Sequence, residues 1–275
     1  MDPFMIIRMA AILLGSGAAA YTDAKTGLID DKITYSMIAV GLVLNVIAFA
    51  TSFDNFLFLI PALVFAVGFV LYWFGKIGGG DVKLFTGITL LMPVFNGKVY
   101  ILHVLVVAAV LSIVFYSVYY VGRYWRKGIS FKENKQSIIS SAFLAAILGI
   151  YFYYLTLMQG ISPIIGVVFY ATALFALLFM AFDKGIKKNF FLKEVEIEKL
   201  EEDEVIATEF LDAEIKKKLK LYLKGIFGNK EIEELKKIGV KKVPVYREMP
   251  PFAPFVFFGV LVLLWAPEIL SFLVI

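Results

Sequence analysis

Residues 5–33 read MIIRMAAILLGSGAAAYTDAKTGLIDDKI. From Met5 to Thr22 the stretch is apolar or small apart from Arg8, and a bilayer crossing needs about 17 to 25 such residues. The run then stops on a carboxylate, Asp23, with Lys25 and Lys32 just beyond it. A carboxylate at a bilayer edge is costly unless it is paired or wet, so its first reading is a functional one.

The rest of the chain repeats the apolar half of that pattern. Over 275 residues it is 60% hydrophobic with a mean hydropathy of +0.83, well beyond a soluble domain. Eight segments approach the length of a span: 5–22, 34–50, 56–75, 81–95, 99–121, 138–157, 163–182 and 253–275. The fourth is short and opens on a second carboxylate, Asp81, which predicts a partial or re-entrant helix. Connections at 51–55, 96–98 and 158–162 are so short that neighbouring helices must run antiparallel. The expected fold is an all-α polytopic membrane protein of six to eight transmembrane helices, with a small mixed α/β cytoplasmic domain inserted before the last helix.

Basic residues orient the bundle. With the N-terminus outside, loops 23–33, 75–81, 122–137 and 183–252 with their edges hold every Lys and Arg except Arg8 and Lys98, the bias expected of cytoplasmic loops. Asp23 and Asp81 then both end at the cytoplasmic face. Four parts are expected: a cloning remnant at 1–4, a transmembrane catalytic core at 5–182, a soluble cytoplasmic domain at 183–250, and a last transmembrane helix at 251–275. Residues 183–250 are nearly balanced in charge, which argues against a nucleic-acid partner. Within them Phe191 to Glu198 alternates like a short strand. Residues 213–227 pattern as a basic amphipathic helix and 231–238 as a second helix, and Val243–Tyr246 reads as extended.

The chemistry is narrowed by what the chain contains. It has no cysteine and one histidine, His103, placed inside a span near its outer end. That position fits a packing residue bonded between helices. No His/Cys cluster and no His-Glu-x-x-His is present, so neither a metal nor a cofactor is called for. Two carboxylates remain. Close together they cannot both ionise easily and hold one proton between them. The ionised member can then take a proton from water attacking a peptide carbonyl, while the protonated one donates to the carbonyl oxygen. Gly78-Gly79-Gly80, just before Asp81, clears side chains from a strip against which an extended peptide can be gripped by main-chain bonds.

Gly78-Gly79-Gly80-Asp81 matches the Gly-x-Gly-Asp motif of the intramembrane aspartyl proteases, and Lys83 extends it to the Gly-x-Gly-Asp-x-Lys form of prepilin peptidases. Asp23-Ala24-Lys25-Thr26-Gly27 looks like that family's other catalytic segment. The chain therefore resembles the archaeal preflagellin (archaellin) and prepilin peptidases over about residues 5–95. The resemblance implies that Asp23 and Asp81 are the catalytic dyad, supported by Gly78, Gly79, Gly80 and Lys83. It also implies that the substrates are precursors with class III signal peptides, cut on the cytoplasmic side. Bacterial relatives add N-methylation through a cysteine-bearing loop; without cysteine, peptidase activity alone is expected here.

Other residues carry weaker readings. Lys83 either orients Asp81 or substrate, or runs along its stem to the headgroups. Asp30, Asp31 and the run Glu201–Glu204 read as solvated. Pro250-Pro251-Phe252-Ala253-Pro254 resembles a proline-rich segment near the active site of the wider protease class, although simple punctuation at a helix start is the preferred reading. Two rival functions stand beside the peptidase. A presenilin or signal-peptide-peptidase type would favour tyrosine where Thr22 precedes Asp23. A cation-coupled transporter would hold its carboxylates near mid-membrane and show inverted repeats.

Overall fold

The computed structural model describes residues 4–52, 56–158, 160, 162–200, 207, 210–211, 235, 242–246 and 250–268. It is overwhelmingly helical: α1 (Met5–Thr26), α2 (Asp31–Ser52), α3 (Phe56–Trp73), α4 (Gly79–Leu91), α5 (Tyr100–Lys127), α6 (Phe131–Leu157), α7 (Pro163–Ala181), α8 (Asp183–Ile186) and α9 (Ala253–Trp265). Six of these, α1, α2, α3, α5, α6 and α7, are long and apolar enough to cross a membrane. The chain is a polytopic α-helical membrane protein. Many large apolar side chains point outward, among them Phe65, Phe69, Tyr151 and Ile164, as lipid-facing positions should when lipid is as apolar as the core.

Contacts divide the chain into two units, one formed by residues up to Val106 together with those from Leu192 onward, the other by Val107–Phe191. In the first, α4 is the most enclosed helix, with Val82 and every residue from Leu84 to Leu91 buried. Small residues let its neighbours approach. A Cβ on Gly41 of α2 would lie 2.6 Å from Leu90 Cβ and 2.9 Å from the Leu90 carbonyl carbon, and one on Gly68 of α3 would lie 2.9 Å from Val82. Gly41→Ala is therefore expected to destabilise the fold by about 1–3 kcal/mol, because backbone on the far side cannot yield. Gly15→Ala meets the movable thioether end of Met37 and should cost clearly less. Unfolding of both variants in detergent, compared with the parent, measures the difference.

The fourth apolar segment ends sooner than the span expected to reach residue 95. Helix α4 stops at Leu91, and β1 (Val94–Phe95) and β2 (Lys98–Val99) pair as a hairpin. Pro93 disfavours helix at Met92, and Asn96 and Gly97 both take positive φ, 50° and 75°, the conformation of a two-residue hairpin turn. Further along, β3 (Leu192–Glu196) pairs antiparallel with β4 (Lys242–Tyr246), with Val195 opposite Val243. The stretch expected from alternation within 191–198 and the one read as extended at 243–246 are thus strands of one sheet. The helices expected at 213–227 and 231–238 lie outside the described residues.

The second unit holds the rest of α5 with α6, α7, α8 and a π-helical turn, Lys187–Phe191. Its buried polar node is Asn134, whose amide donates to Tyr124 Oη at 3.1 Å and whose Oδ1 accepts the Gly185 N–H at 3.3 Å.

Candidate active site

Asp23 sits in the last turn of α1, 7% exposed. The helix ends three residues later, where Gly27 takes φ 71° and returns its N–H to the Asp23 carbonyl at 2.8 Å. The Asp23 side chain faces the start of α9. Its Oδ2 accepts the Ala253 N–H at 2.9 Å, and the Phe252 backbone also bonds it. Phe252 and Ala253 are the N-cap and first residue of α9, so these donors are N–H groups that a helix start leaves without internal partners. They suit an anion.

Asp81 is the third residue of α4, after the N-cap Gly78 at φ −73°, ψ 149°. Its carboxylate reaches back to the Gly78 backbone, half of a capping-box arrangement. The glycine clears the space this requires, since a Cβ there would lie 3.1 Å from Oδ2. The other oxygen, Oδ1, is buried with no hydrogen-bond partner among the described residues. Asp23 lies close enough for its charge to act on the Asp81 carboxyl. Phe252 joins both sides: its backbone bonds Asp23 while its ring packs edge-on against Phe85 of α4, centroids 6.3 Å apart.

The remaining candidates fall around this pair. Gly79 faces the Tyr72 ring, and a Cβ on Gly80 would lie 3.1 Å from Ile29, so the loop after α1 lies across the start of α4. Lys83 is turned to Asp31, with Nζ donating to Oδ1 at 2.6 Å and lying 5.0 Å from the Tyr35 ring centre. The pair is partly solvated, at 28% and 58% side-chain exposure, and such pairs are worth about 0.2–1 kcal/mol. Lys83→Asp and Asp31→Lys are each expected to slow activity less than about fivefold, and the double exchange should recover the loss; cleavage rates of the three variants check this. Asp30 Oδ1 accepts the Lys32 N–H at 2.9 Å, a local turn contact. His103 is buried one turn into α5, with Nδ1 2.9 Å from the Val99 carbonyl. Residues 201–204 lie outside the described residues. Among the described residues no three His, Asp or Glu side chains gather as a metal site would require.

Two contributors stand apart from the motif residues. The α9 start at Asp23 is signalled in sequence only by the short Pro250–Pro254 match. A buried pair, Arg8 and Asn45, sits at the far end of α4, and only its polarity within an apolar run marks it.

Fold and site together define a polytopic membrane protein with two carboxylates at the ends of neighbouring helices. Residues 10–120, a stretch that contains both aspartates, match the type IV leader peptidase family. The chain is 35% identical over 96 residues to "Prepilin peptidase EppA" of Methanothermobacter thermautotrophicus, covering 32% of this chain and 25% of the relative. It is 30% identical over 161 residues to the protein of the same name from Methanocaldococcus jannaschii, covering 56% of this chain and 41% of the relative. The chain thus spans less than half the length of these curated relatives. No solved structure matches it.

Proposed function

We propose that the chain is an aspartic endopeptidase of the membrane that removes class III signal peptides from prepilin or preflagellin precursors at the cytoplasmic face. The observation that carries this reading is the pair Asp23–Asp81, set in the last turn of one helix and the first turn of another. Carboxylates at helix ends fit a peptidase better than a transporter, which would hold them midway. The bias of Lys and Arg supports a cytoplasmic location for that face. The name of the two relatives, prepilin peptidase, supports the substrate class.

The surroundings support a division of roles. Asp23 receives backbone N–H groups from a helix start, whereas one oxygen of Asp81 is buried without a partner. The single shared proton therefore resides on Asp81. Asp23 takes a proton from the attacking water as its oxygen bonds to the scissile carbonyl carbon, and Asp81 gives its proton to the carbonyl oxygen. Collapse of the tetrahedral intermediate breaks the C–N bond: the leaving amine takes the proton now held by Asp23, and a hydroxyl of the intermediate returns its proton to Asp81, which restores the starting dyad. The scissile peptide lies between the two carboxylates.

The test is cleavage of a bilayer-embedded prepilin or preflagellin by the purified full chain. Release of the leader supports the reading; no cleavage of several precursors by folded protein overturns it.

A further inference from the structure

Helix α4 has 13 residues, a length of about 20 Å against a hydrocarbon core of about 30 Å. Its last turn is enclosed by the protein, with Leu90 and Leu91 both buried, and a buried carbonyl left without a donor is costly. The Met92 N–H bonds the Ile88 carbonyl, but the Leu90 and Leu91 carbonyls have strand residues four positions on and need donors from elsewhere. Arg8 of α1 supplies them. Its Nη1 donates to the Leu91 carbonyl at 2.8 Å, to the Leu90 carbonyl at 3.3 Å and to Asn45 Oδ1 at 2.9 Å. Asn45 of α2 adds a bond from Nδ2 to the Leu90 carbonyl at 2.9 Å and another to the Leu57 carbonyl at 3.0 Å. The Leu57 carbonyl is orphaned because its helical partner four residues on is Pro61, which has no N–H. Arg8 is 3% and Asn45 0% exposed. A guanidinium at a helix C-terminus also meets the negative end of the helix dipole.

We infer that Arg8 is a positioning residue for the dyad: it stands on the helix that carries Asp23, holds the far end of the helix that carries Asp81, and so sets how deep α4 sits. This rests on the peptidase reading for its consequence in catalysis, not for its geometry. Without the guanidinium, α4 relieves its carbonyls by moving toward water or unwinding its last turn. Asp81 moves with α4 and loses its alignment with Asp23. A misplacement of about 1 Å can cost about a hundredfold in rate.

The experiment uses the full chain in bilayers. Arg8→Ala and Arg8→Lys should lower kcat at least about tenfold while KM stays within about threefold. A cavity of about 190 Å³ lies beside Arg8, lined also by Met5, Leu57, Leu91 and Pro93. Methylguanidinium added to Arg8→Ala should therefore restore part of kcat, and equimolar sodium should not. Because the chain has no native cysteine, spin labels at Lys25→Cys and Lys83→Cys report the α1–α4 distance without any need for activity, and that distance should shift or broaden in both Arg8 variants. An unchanged distance overturns the inference, as does a normal kcat in either folded variant. If the parent cleaves nothing, the peptidase reading fails while the distance still decides whether Arg8 sets the position of α4.

Discussion

Asp81→Asn is expected to reduce cleavage of a class III precursor by about a thousandfold or more, and Asp23→Asn to do the same, since positioned acid and base groups each contribute about 10²–10⁴-fold. The two exchanges are isosteric. In Asp23→Asn the amide oxygen can still accept the Ala253 N–H now received at 2.9 Å, and in Asp81→Asn it can still reach the Gly78 backbone. Folding should therefore survive, with stability within about 1 kcal/mol of the parent, as for replacements that keep a buried group bonded. Single-turnover cleavage beside a thermal unfolding curve separates lost chemistry from lost structure. Activity that persists in one variant removes that carboxylate from the mechanism.

Removing the donor at Ala253 should give the next largest effect. Replacing the Ala253 peptide bond by an ester, through incorporation of the α-hydroxy analogue of alanine, deletes the N–H and leaves the side chain in place. A hydrogen bond to a charged group contributes about 1.5–3 kcal/mol, so kcat should fall roughly ten- to hundredfold at about 1.4 kcal/mol per decade. The physical reason is the location of the shared proton. With one backbone donor gone, Asp23 loses part of what favours its negative charge, and the pair spends more time with the proton on the wrong carboxylate. Ala253→Pro is the less clean route, because Phe252 has ψ −29°, in the helical region that a residue before proline avoids. A rate equal to the parent's would disconnect α9 from the chemistry.

Much of the fold could be read from local pattern. The six long helices are apolar runs of bilayer length, the strand at Leu192–Glu196 follows from alternation within a polar segment, and that at Lys242–Tyr246 reads as extended. The early stop of α4 was also written locally, in Pro93 and Asn96-Gly97, but an apolar count over 81–95 does not register turn chemistry. Asp23, Asp81 and the glycines were legible because each breaks an apolar pattern at a helix end.

Contacts between distant parts of the chain were not legible. Ala253 lies 230 positions from the carboxylate it bonds. Its role depends on a backbone N–H, which every residue but proline possesses, so side-chain identity says nothing about it. Lys83 reads as a neighbour of Asp81, yet its partner Asp31 lies 52 positions away. Arg8 reads as an exception to the charge bias, and its meaning depends on where another helix ends. The sequence by itself determined that this is a multi-pass helical membrane protein with two carboxylates at helix ends, because hydrophobic length and isolated charge are properties of a segment. Only the tertiary structure decided which backbone groups receive those carboxylates and what supports the helix behind Asp81, because unpaired donors and acceptors are satisfied across the fold.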